Sequence, residues 1–203
     1  VRDATARKGA EQALVEAKNA ADAANRAKQG YRVTFAANQH INPTNVCILR
    51  QTCVFCSYAR LPKEEGAYRC TLEQVLEEAA TANSTLTREF HIVGGLDMKA
   101  GLAYYAEMFR ALKANFPHVH IKALTAVEIA QIARIEKMSV RDTLIALRDA
   151  GLDTMPGGGA EVFSAGVRAT IADKKLAGEE WIDLGEWSPL VSGVAVILTL
   201  IQH

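Results

Sequence analysis

Three of the four cysteines in the sequence lie within ten positions of one another. Cys47, Cys53 and Cys56 stand in the segment TNVCILRQTCVFCSY with the spacing C-x5-C-x2-C. Soft thiolate ligands select iron-sulfur clusters or zinc. Three thiolates on one short loop can ligate three irons of a four-iron cluster and leave the fourth iron open for a small chelating ligand.

Zinc is the main alternative, with Cys70 or a histidine as the fourth tetrahedral ligand. The second C-x2-C pair that usually completes such a site is missing from the sequence. Three unligated thiols acting as small hydrophobic side chains are a further interpretation, which suits one buried cysteine better than three in a single loop. Cys70 lies outside the spacing, at the start of a predicted helix, and is predicted to be structural.

Strand and helix patterns alternate around the cysteine loop. Ala, Glu, Lys and Gln dominate residues 1–30, which predicts an N-terminal helix that ends at Gly30. The segment YRVTFAA predicts a strand, NQHINPTNV leads from it into the loop, and REFHIVGGL and HVHIKAL predict two more strands. Capping signals at Thr71, Thr125 and Ser139 predict helix starts. This alternation predicts an α/β fold with a parallel sheet.

Polar and apolar residues alternate in two of the predicted strands. His120 and Lys122 in HVHIKAL, and Glu89 and His91 in REFHIVGGL, are separated by apolar residues. A parallel sheet buried on both faces would have almost continuously apolar strands, so one face must be polar. An α/β barrel whose lumen is an active site satisfies this pattern, because the apolar face packs on the helix ring while the polar face looks inward. We therefore predict that His91, His120 and Lys122 point into a lumen; solvent-facing edge strands are the alternative.

The overall composition is that of a soluble globular chain, with 49% hydrophobic and 23% charged residues. Because the formal net charge is zero and the pI is about 7.1, we expect neither nucleic acid nor a membrane surface as a partner. The N-terminus lacks the apolar core of a signal peptide, and the longest apolar run, VSGVAVILTLI, is shorter than the ~20 residues of a membrane-spanning helix. A cytoplasmic location is expected, where disulfides are rare.

Taken together, these segments resemble a known family. NPTNVCILRQTCVFCSY, followed by a strand that ends in Gly94-Gly95, is similar to the radical S-adenosylmethionine superfamily, whose cluster loop follows the first strand of a partial (β/α)6 TIM-like barrel. REFHIVGGL, YYAEMFRALKANFPHVHIKALTAVEIAQIARI, LRDAGLDTMPGGGAEVF and KLAGEEW resemble the aminofutalosine synthases of menaquinone biosynthesis. The resemblance runs from about Lys18 to Trp181. The related dehypoxanthine futalosine cyclases share PGGGAE and are less similar around HIVGGL and KALTAVEI.

This resemblance implies a set of cofactor ligands. Cys47, Cys53 and Cys56 would ligate a [4Fe-4S] cluster, and S-adenosylmethionine would chelate its open iron. Phe55 would lie near the adenine. Further residues are expected to line the same site: Gly94, Gly95 and Glu128 for the cofactor, and His91, His120, Gly157, Gly158 and Gly159 for the substrate. Gly94 and Gly95 lack a Cβ atom and so permit close approach of the backbone to the methionine amino group, although a plain turn would have the same sequence.

The implied reaction is a radical addition to a small-molecule substrate. A 5'-deoxyadenosyl radical would add to 3-[(1-carboxyvinyl)oxy]benzoate, and rearrangement with loss of carbon dioxide would give 6-amino-6-deoxyfutalosine. An electron donor such as flavodoxin or ferredoxin is expected as a partner, and no residue is assigned a catalytic step. The alternatives are the related cyclase and a zinc-stabilised binding module without catalysis.

The sequence also departs from the family in three places. The first cysteine spacing is two residues longer than the superfamily's C-x3-C, and Asp97-Met98 stands where the family has His-Pro. After Trp181 the resemblance ends. We therefore expect an N-terminal helix at 1–30, a partial barrel at 31–181 that is incomplete at its C-terminal end, and a segment of unclear origin at 182–203.

Overall fold

A computed structural model describes residues 12, 15–20, 37–54, 56–81 and 86–186. Residues 12 and 15–20 are helical, as predicted. Residues 1–11, 13–14 and 21–30 of the predicted N-terminal helix, and residues 31–36 of YRVTFAA, lie outside the described residues. The remaining elements are β1 (Asn38–Ile41), α1 (Leu72–Thr81), β2 (Glu89–Ile92), α2 (Leu102–Asn115), β3 (His120–Ala123), α3 (Ala126–Glu136), α4 (Val140–Asp149), α5 (Ala165–Ile171) and α6 (Gly178–Glu186).

The three described strands form one parallel sheet in the order β1-β2-β3. Helices connect them, so the predicted α/β class with a parallel sheet is confirmed. A parallel bridge between Lys122 and Thr154 marks the place next to β3 where the chain continues the sheet. The described residues therefore form an open part of an α/β barrel, in agreement with the predicted incomplete barrel. The domain boundaries drawn from the sequence stay predictions.

The strand before the cysteine loop includes residues that the sequence analysis placed in a connection. Asn38–Ile41 pairs in parallel with Glu89–Ile92 along its whole length. Asn, Gln and His have little intrinsic preference for strands. Pairing with a neighbouring strand outweighs this preference, since a strand next to β2 satisfies the backbone hydrogen bonds of both.

The hydrophobic core lies between the sheet and the helices. Phe90, Ile92, Ile121 and Ala123 point from β2 and β3 to this side and are almost completely buried. The alternate residues of both strands are only half-buried. One face of the sheet thus packs on helices and the other is polar, as the alternation predicted.

Local capping interactions set the helix starts that the sequence indicated. At α1, the Thr71 backbone N–H donates to Gln74 Oε1 at 2.8 Å, and the Gln74 N–H donates to Thr71 Oγ1 at 3.3 Å. At α4, the Asp142 N–H donates to Ser139 Oγ at 3.0 Å. Both predicted caps are confirmed. None of the described helices combines the length and the apolar character that crossing a membrane requires.

Candidate functional site

The polar functional groups gather at the edge formed by the carboxyl ends of the strands. The cysteine loop follows β1, Gly94-Gly95 follows β2, and the Thr125 cap follows β3. Parallel strands end at the same edge, so these three segments meet. The Gly95 N–H donates to the Thr44 carbonyl at 2.9 Å, and the Gly94 N–H donates to Glu128 Oε1 at 2.9 Å.

The cysteine loop is held by its own backbone hydrogen bonds. The Cys47 N–H donates to the Arg60 carbonyl at 2.9 Å, the Cys53 N–H to Leu49 at 2.9 Å, and the Cys56 N–H to Cys53 at 3.2 Å. Cys53 is buried, Cys47 and Cys56 are half-buried, and all three are free thiols. Phe55, predicted to lie near the adenine, falls outside the described residues.

A later part of the chain lies over this loop. The Val54 N–H donates to the Ile171 carbonyl at 3.0 Å. Lys175 Nζ lies 2.6 Å from Glu161 Oε1. Burial raises the pKa of the Cys53 thiol, Lys175 lowers it, and Cys56, Glu161 and Cys47 raise it further. The three thiols and the Lys175–Glu161 ion pair therefore share one electrostatic environment, a grouping that the sequence analysis missed.

The loop offers three thiols, donors that both a four-iron cluster and a zinc ion accept. A zinc ion needs its ligands to converge, with Zn–S distances of about 2.3 Å. Among the described residues, no three His, Cys, Asp or Glu side chains are arranged to hold one metal ion. A four-iron cluster places its thiolate ligands on separate irons. Cys70, a candidate fourth zinc ligand, packs against the core with its Sγ 3.9 Å from the Asn42 carbonyl oxygen.

Gly94 and Gly95 pack directly against the cysteine loop. A Cβ atom at Gly95 would lie 2.2 Å from the Val46 carbonyl oxygen and 3.0 Å from Cys47 Cβ. At Gly94 it would lie 2.9 Å from the Thr44 carbonyl oxygen. The structure thus gives these glycines a packing requirement of their own, and their approach to the methionine amino group stays a prediction.

Glu128 is buried and joins α3 to the glycine turn. Its Oε2 accepts from the Thr125 N–H at 2.7 Å and lies 2.8 Å from Thr125 Oγ1, while Oε1 accepts from the Gly94 N–H. The predicted capping box is confirmed. Both carboxylate oxygens are occupied by protein donors, which makes Glu128 a positioning residue for Gly94; its predicted contact with the cofactor is untested.

The Glu128 carboxyl is expected to make stability depend on pH. Burial raises its pKa from 4.5 to about 7, against the opposing effects of the Thr125 and Gly94 hydrogen bonds and of Lys175. The folded state then binds a proton more tightly than the unfolded state, so the free energy of unfolding falls as pH rises from about 5 to 8. Relative to Glu128→Gln, the free energy of unfolding of the unaltered chain should fall by about 2.5 kcal/mol over this range.

Urea unfolding at pH 5 and pH 8 measures this difference. Glu107→Gln, which alters an exposed carboxyl on α2 and keeps Glu128, is the matched control and should follow the pH dependence of the unaltered chain. An identical pH dependence in the unaltered chain and in Glu128→Gln would contradict the assignment.

The glycine run is brought to the start of α3. A Cβ at Gly158 would lie 3.3 Å from Thr125 Cγ2, and the Trp181 indole N–H donates to the Gly158 carbonyl at 3.1 Å. Gly159 has φ +102°, which favours glycine, and lies against Val127. The structure therefore brings Gly157, Gly158 and Gly159 close to the same edge of the sheet, where their contact with a substrate remains a prediction.

The histidines predicted to face a lumen lie on the polar face of the sheet. His91 and Lys122 are register partners, and His120 is the partner of Glu89 one row further from the carboxyl ends. His120 Nε2 lies 2.8 Å from Thr154 Oγ1. None of these side chains points to the helices. Side chains pointing to the helices would have excluded a position in the lumen. Their role in substrate binding is untested.

Asp97, which departs from the family pattern, has a structural role. It is buried and paired with Arg69, whose Nε donates to Asp97 Oδ2 at 2.6 Å. The Lys99 N–H donates to Oδ1 at 2.9 Å, and Thr44 Oγ1 lies 3.4 Å from Oδ2. Asp97 thus connects the turn after β2 to the start of the cysteine loop.

Comparison with known proteins gives a consistent set of relatives. The chain is 38% identical over 157 residues to aminodeoxyfutalosine synthase of Thermus thermophilus and 41% identical over 154 residues to that of Streptomyces coelicolor. It is 41% identical over 152 residues to 5-amino-6-(D-ribitylamino)uracil--L-tyrosine 4-hydroxyphenyl transferase of Methanopyrus kandleri. These matches cover 77%, 76% and 75% of the chain but only 42%, 39% and 41% of the relatives.

The fold is similar to that of a solved structure. Methylornithine synthase superposes with a TM-score of 0.63 over 83% of this chain and 44% of that one, at 18% identity. No protein-family model matches the chain. The sequence relatives confirm the resemblance to the aminofutalosine synthases, and the chain spans less than half of their length.

Proposed function

Since the chain is a relative of the aminodeoxyfutalosine synthases over three quarters of its length, we propose that it forms part of a radical S-adenosylmethionine enzyme that makes 6-amino-6-deoxyfutalosine. The observation that carries this proposal is the meeting of the three-cysteine loop with the Gly94-Gly95 turn at the carboxyl edge of a parallel sheet. In α/β folds of this type that edge is where ligands bind.

The residues of the loop fit the implied cofactor. Cys47, Cys53 and Cys56 would hold a [4Fe-4S] cluster and leave one iron for S-adenosylmethionine. When bound, this pair would supply the radical chemistry, a 5'-deoxyadenosyl group for addition to the double bond of 3-[(1-carboxyvinyl)oxy]benzoate. A flavodoxin or ferredoxin is the proposed electron donor.

The protein's own contribution is to position groups and to exclude water. The segment that carries Lys175 covers the loop next to Cys53, which limits the access of water to the thiols. Glu128 fixes Gly94, and Gly95 in turn contacts Cys47. Fixing these groups in advance lowers the cost of ordering them when ligands bind.

Anaerobic reconstitution tests the proposal. We expect about four irons and an equal amount of sulfide per chain. Incubation with S-adenosylmethionine, a reductant and 3-[(1-carboxyvinyl)oxy]benzoate should give 6-amino-6-deoxyfutalosine, detected by mass spectrometry. A chain without iron that is saturated with zinc would instead support the zinc-stabilised binding module, and a cyclised product from the dehypoxanthine futalosine substrate would support the cyclase.

A second reaction is favoured by one comparison. The 4-hydroxyphenyl transferase of Methanopyrus kandleri matches the chain at 41%, as closely as the aminodeoxyfutalosine synthases at 38% and 41%. Incubation of the reconstituted chain with L-tyrosine and 5-amino-6-(D-ribitylamino)uracil separates the two. If product forms with these two compounds and none forms with 3-[(1-carboxyvinyl)oxy]benzoate, the 4-hydroxyphenyl transfer becomes the favoured reaction.

A further inference from the structure

The polar face of the sheet carries two rows of side chains. The row nearer the carboxyl ends of the strands consists of three basic residues. His40, His91 and Lys122 are direct neighbours in the parallel register of β1, β2 and β3. The ring centroids of His40 and His91 are 5.0 Å apart. His91 is half-buried, and the next residues in β2 and β3, Ile92 and Ala123, face the core. The row therefore lies immediately below the edge where the cysteine loop and the glycine turn meet.

The charges around this row balance while His91 is neutral. Lys122 Nζ lies 2.7 Å from Glu89 Oε1, and the Glu89 side chain is only 12% exposed. Burial lowers the pKa of His91, and His40 and Lys122 lower it further, with Glu89 opposing them. His91 is thus neutral at pH 7. The positive charge of Lys122 and the negative charge of Glu89 cancel each other.

Charged groups in the next row do not supply a surplus cation. His120 Nδ1 lies 3.9 Å from Asp153 Oδ2, and this carboxylate is also 2.5 Å from Lys113 Nζ on α2. A carboxylate that binds beside His40, His91 and Lys122 would therefore need a new positive charge. The nearest groups that can gain a proton are the imidazoles of His40 and His91.

We propose that His40, His91 and Lys122 bind a carboxylate group of the substrate, and that the His40–His91 pair takes up one proton as the carboxylate binds. This inference rests on the proposed function and extends it to the residues that bind a carboxylate of the substrate and to the proton taken up there. An opposite charge within about 4–6 Å favours the protonated form of an imidazole. Two imidazolium ions with ring centroids 5.0 Å apart would repel each other, so the pair gains one proton rather than two.

Lys122 has a complementary role in this arrangement. Its ammonium group has three N–H donors, and the ion pair with Glu89 uses only part of them. A donor from Lys122 and one from a protonated imidazole can reach the two oxygens of one carboxylate. Hydrogen bonds in which both partners are charged are stronger than those between neutral groups. Loss of either the Lys122 donor or the imidazolium donor should therefore weaken binding markedly.

Titration calorimetry tests the proton uptake. The probe is 3-(carboxymethoxy)benzoate, which keeps both carboxylates of the proposed substrate but lacks the reactive double bond. Binding at pH 7.5 in HEPES and in Tris, which differ in ionisation enthalpy, gives the number of protons taken up. We expect close to one proton per probe and a Kd that rises by up to about tenfold per pH unit between pH 7 and 8.

Substitutions locate the proton. The double substitution His40→Asn/His91→Asn should abolish the uptake and weaken binding about tenfold, because no imidazole remains in the row. The matched control is His118→Asn, which alters an exposed histidine before β3 and should leave both quantities unchanged. Circular dichroism confirms that each variant is folded.

The outcomes separate this inference from the proposed function. Absence of probe binding, binding without proton uptake, or uptake that survives both substitutions would overturn the inference, and the first two are read from the unaltered chain alone. Iron content and product formation test the proposed function separately. Protein that fails to bind iron but takes up a proton with the probe would retain the anion site and reject the radical chemistry.

Discussion

Replacement of Cys53 by alanine is expected to reduce bound iron from about four atoms per chain to almost none. Cys53 is the most buried thiol of the loop, at 8% exposure, and lies between Cys47 and Cys56 in the sequence. Removal of one thiolate leaves two ligands on the loop, and two cannot hold three corners of a cubane. The measurement is iron and sulfide content after anaerobic reconstitution, together with the brown absorbance of the cluster.

The fourth cysteine provides the control for this experiment. Cys70 is also partly buried, but its thiol packs against the core near Asn42 and lies outside the C-x5-C-x2-C spacing. Cys70→Ala should keep the full iron content. Equal iron in Cys53→Ala and the unaltered chain, or equal loss in both variants, would refute the assignment of the three loop cysteines as cluster ligands.

Replacement of Gly95 by alanine is expected to give the largest loss of stability, about 3 kcal/mol. The new Cβ would lie 2.2 Å from the Val46 carbonyl oxygen and 2.7 Å from the Val46 carbonyl carbon, and both are backbone atoms. Backbone hydrogen bonds from Gly95 to Thr44 and from Ile48 to Leu96 hold the two segments together. The clash can therefore be relieved only by moving the cysteine loop away from the turn.

Two measurements follow from this clash. The midpoint of urea unfolding should fall, and the displaced Cys47 should lower the iron content at equal protein concentration. Gly166→Ala is the matched control, since a Cβ there meets no atom within 4 Å and the residue lies in α5. Alanine in a helix is favoured over glycine by roughly 0.5–1 kcal/mol, so this variant should be as stable as the unaltered chain or more so. A stable Gly95→Ala protein with full iron would contradict the packing described here.

The sequence alone predicted the features that depend on residues close together in the chain. The capping boxes at Thr71 and Thr125 follow from side chains three positions apart, whose reach is fixed by helix geometry. The alternation in β2 and β3 follows from the period of a strand and defined the polar face. The cysteine spacing placed three soft ligands on one loop, and this local pattern also carried the resemblance to the family.

The tertiary structure alone decided which distant segments meet. The hydrogen bond from Gly94 to Glu128 spans 34 positions in the sequence, and the contact between Val54 and Ile171 spans many more. It also decided that β1 begins at Asn38, which brings His40 beside His91. Such contacts depend on strand register and on how helices pack, and neither propensity nor spacing along the chain specifies them. Local residue patterns were therefore legible in the sequence, whereas the mutual positions of distant residues were set by packing.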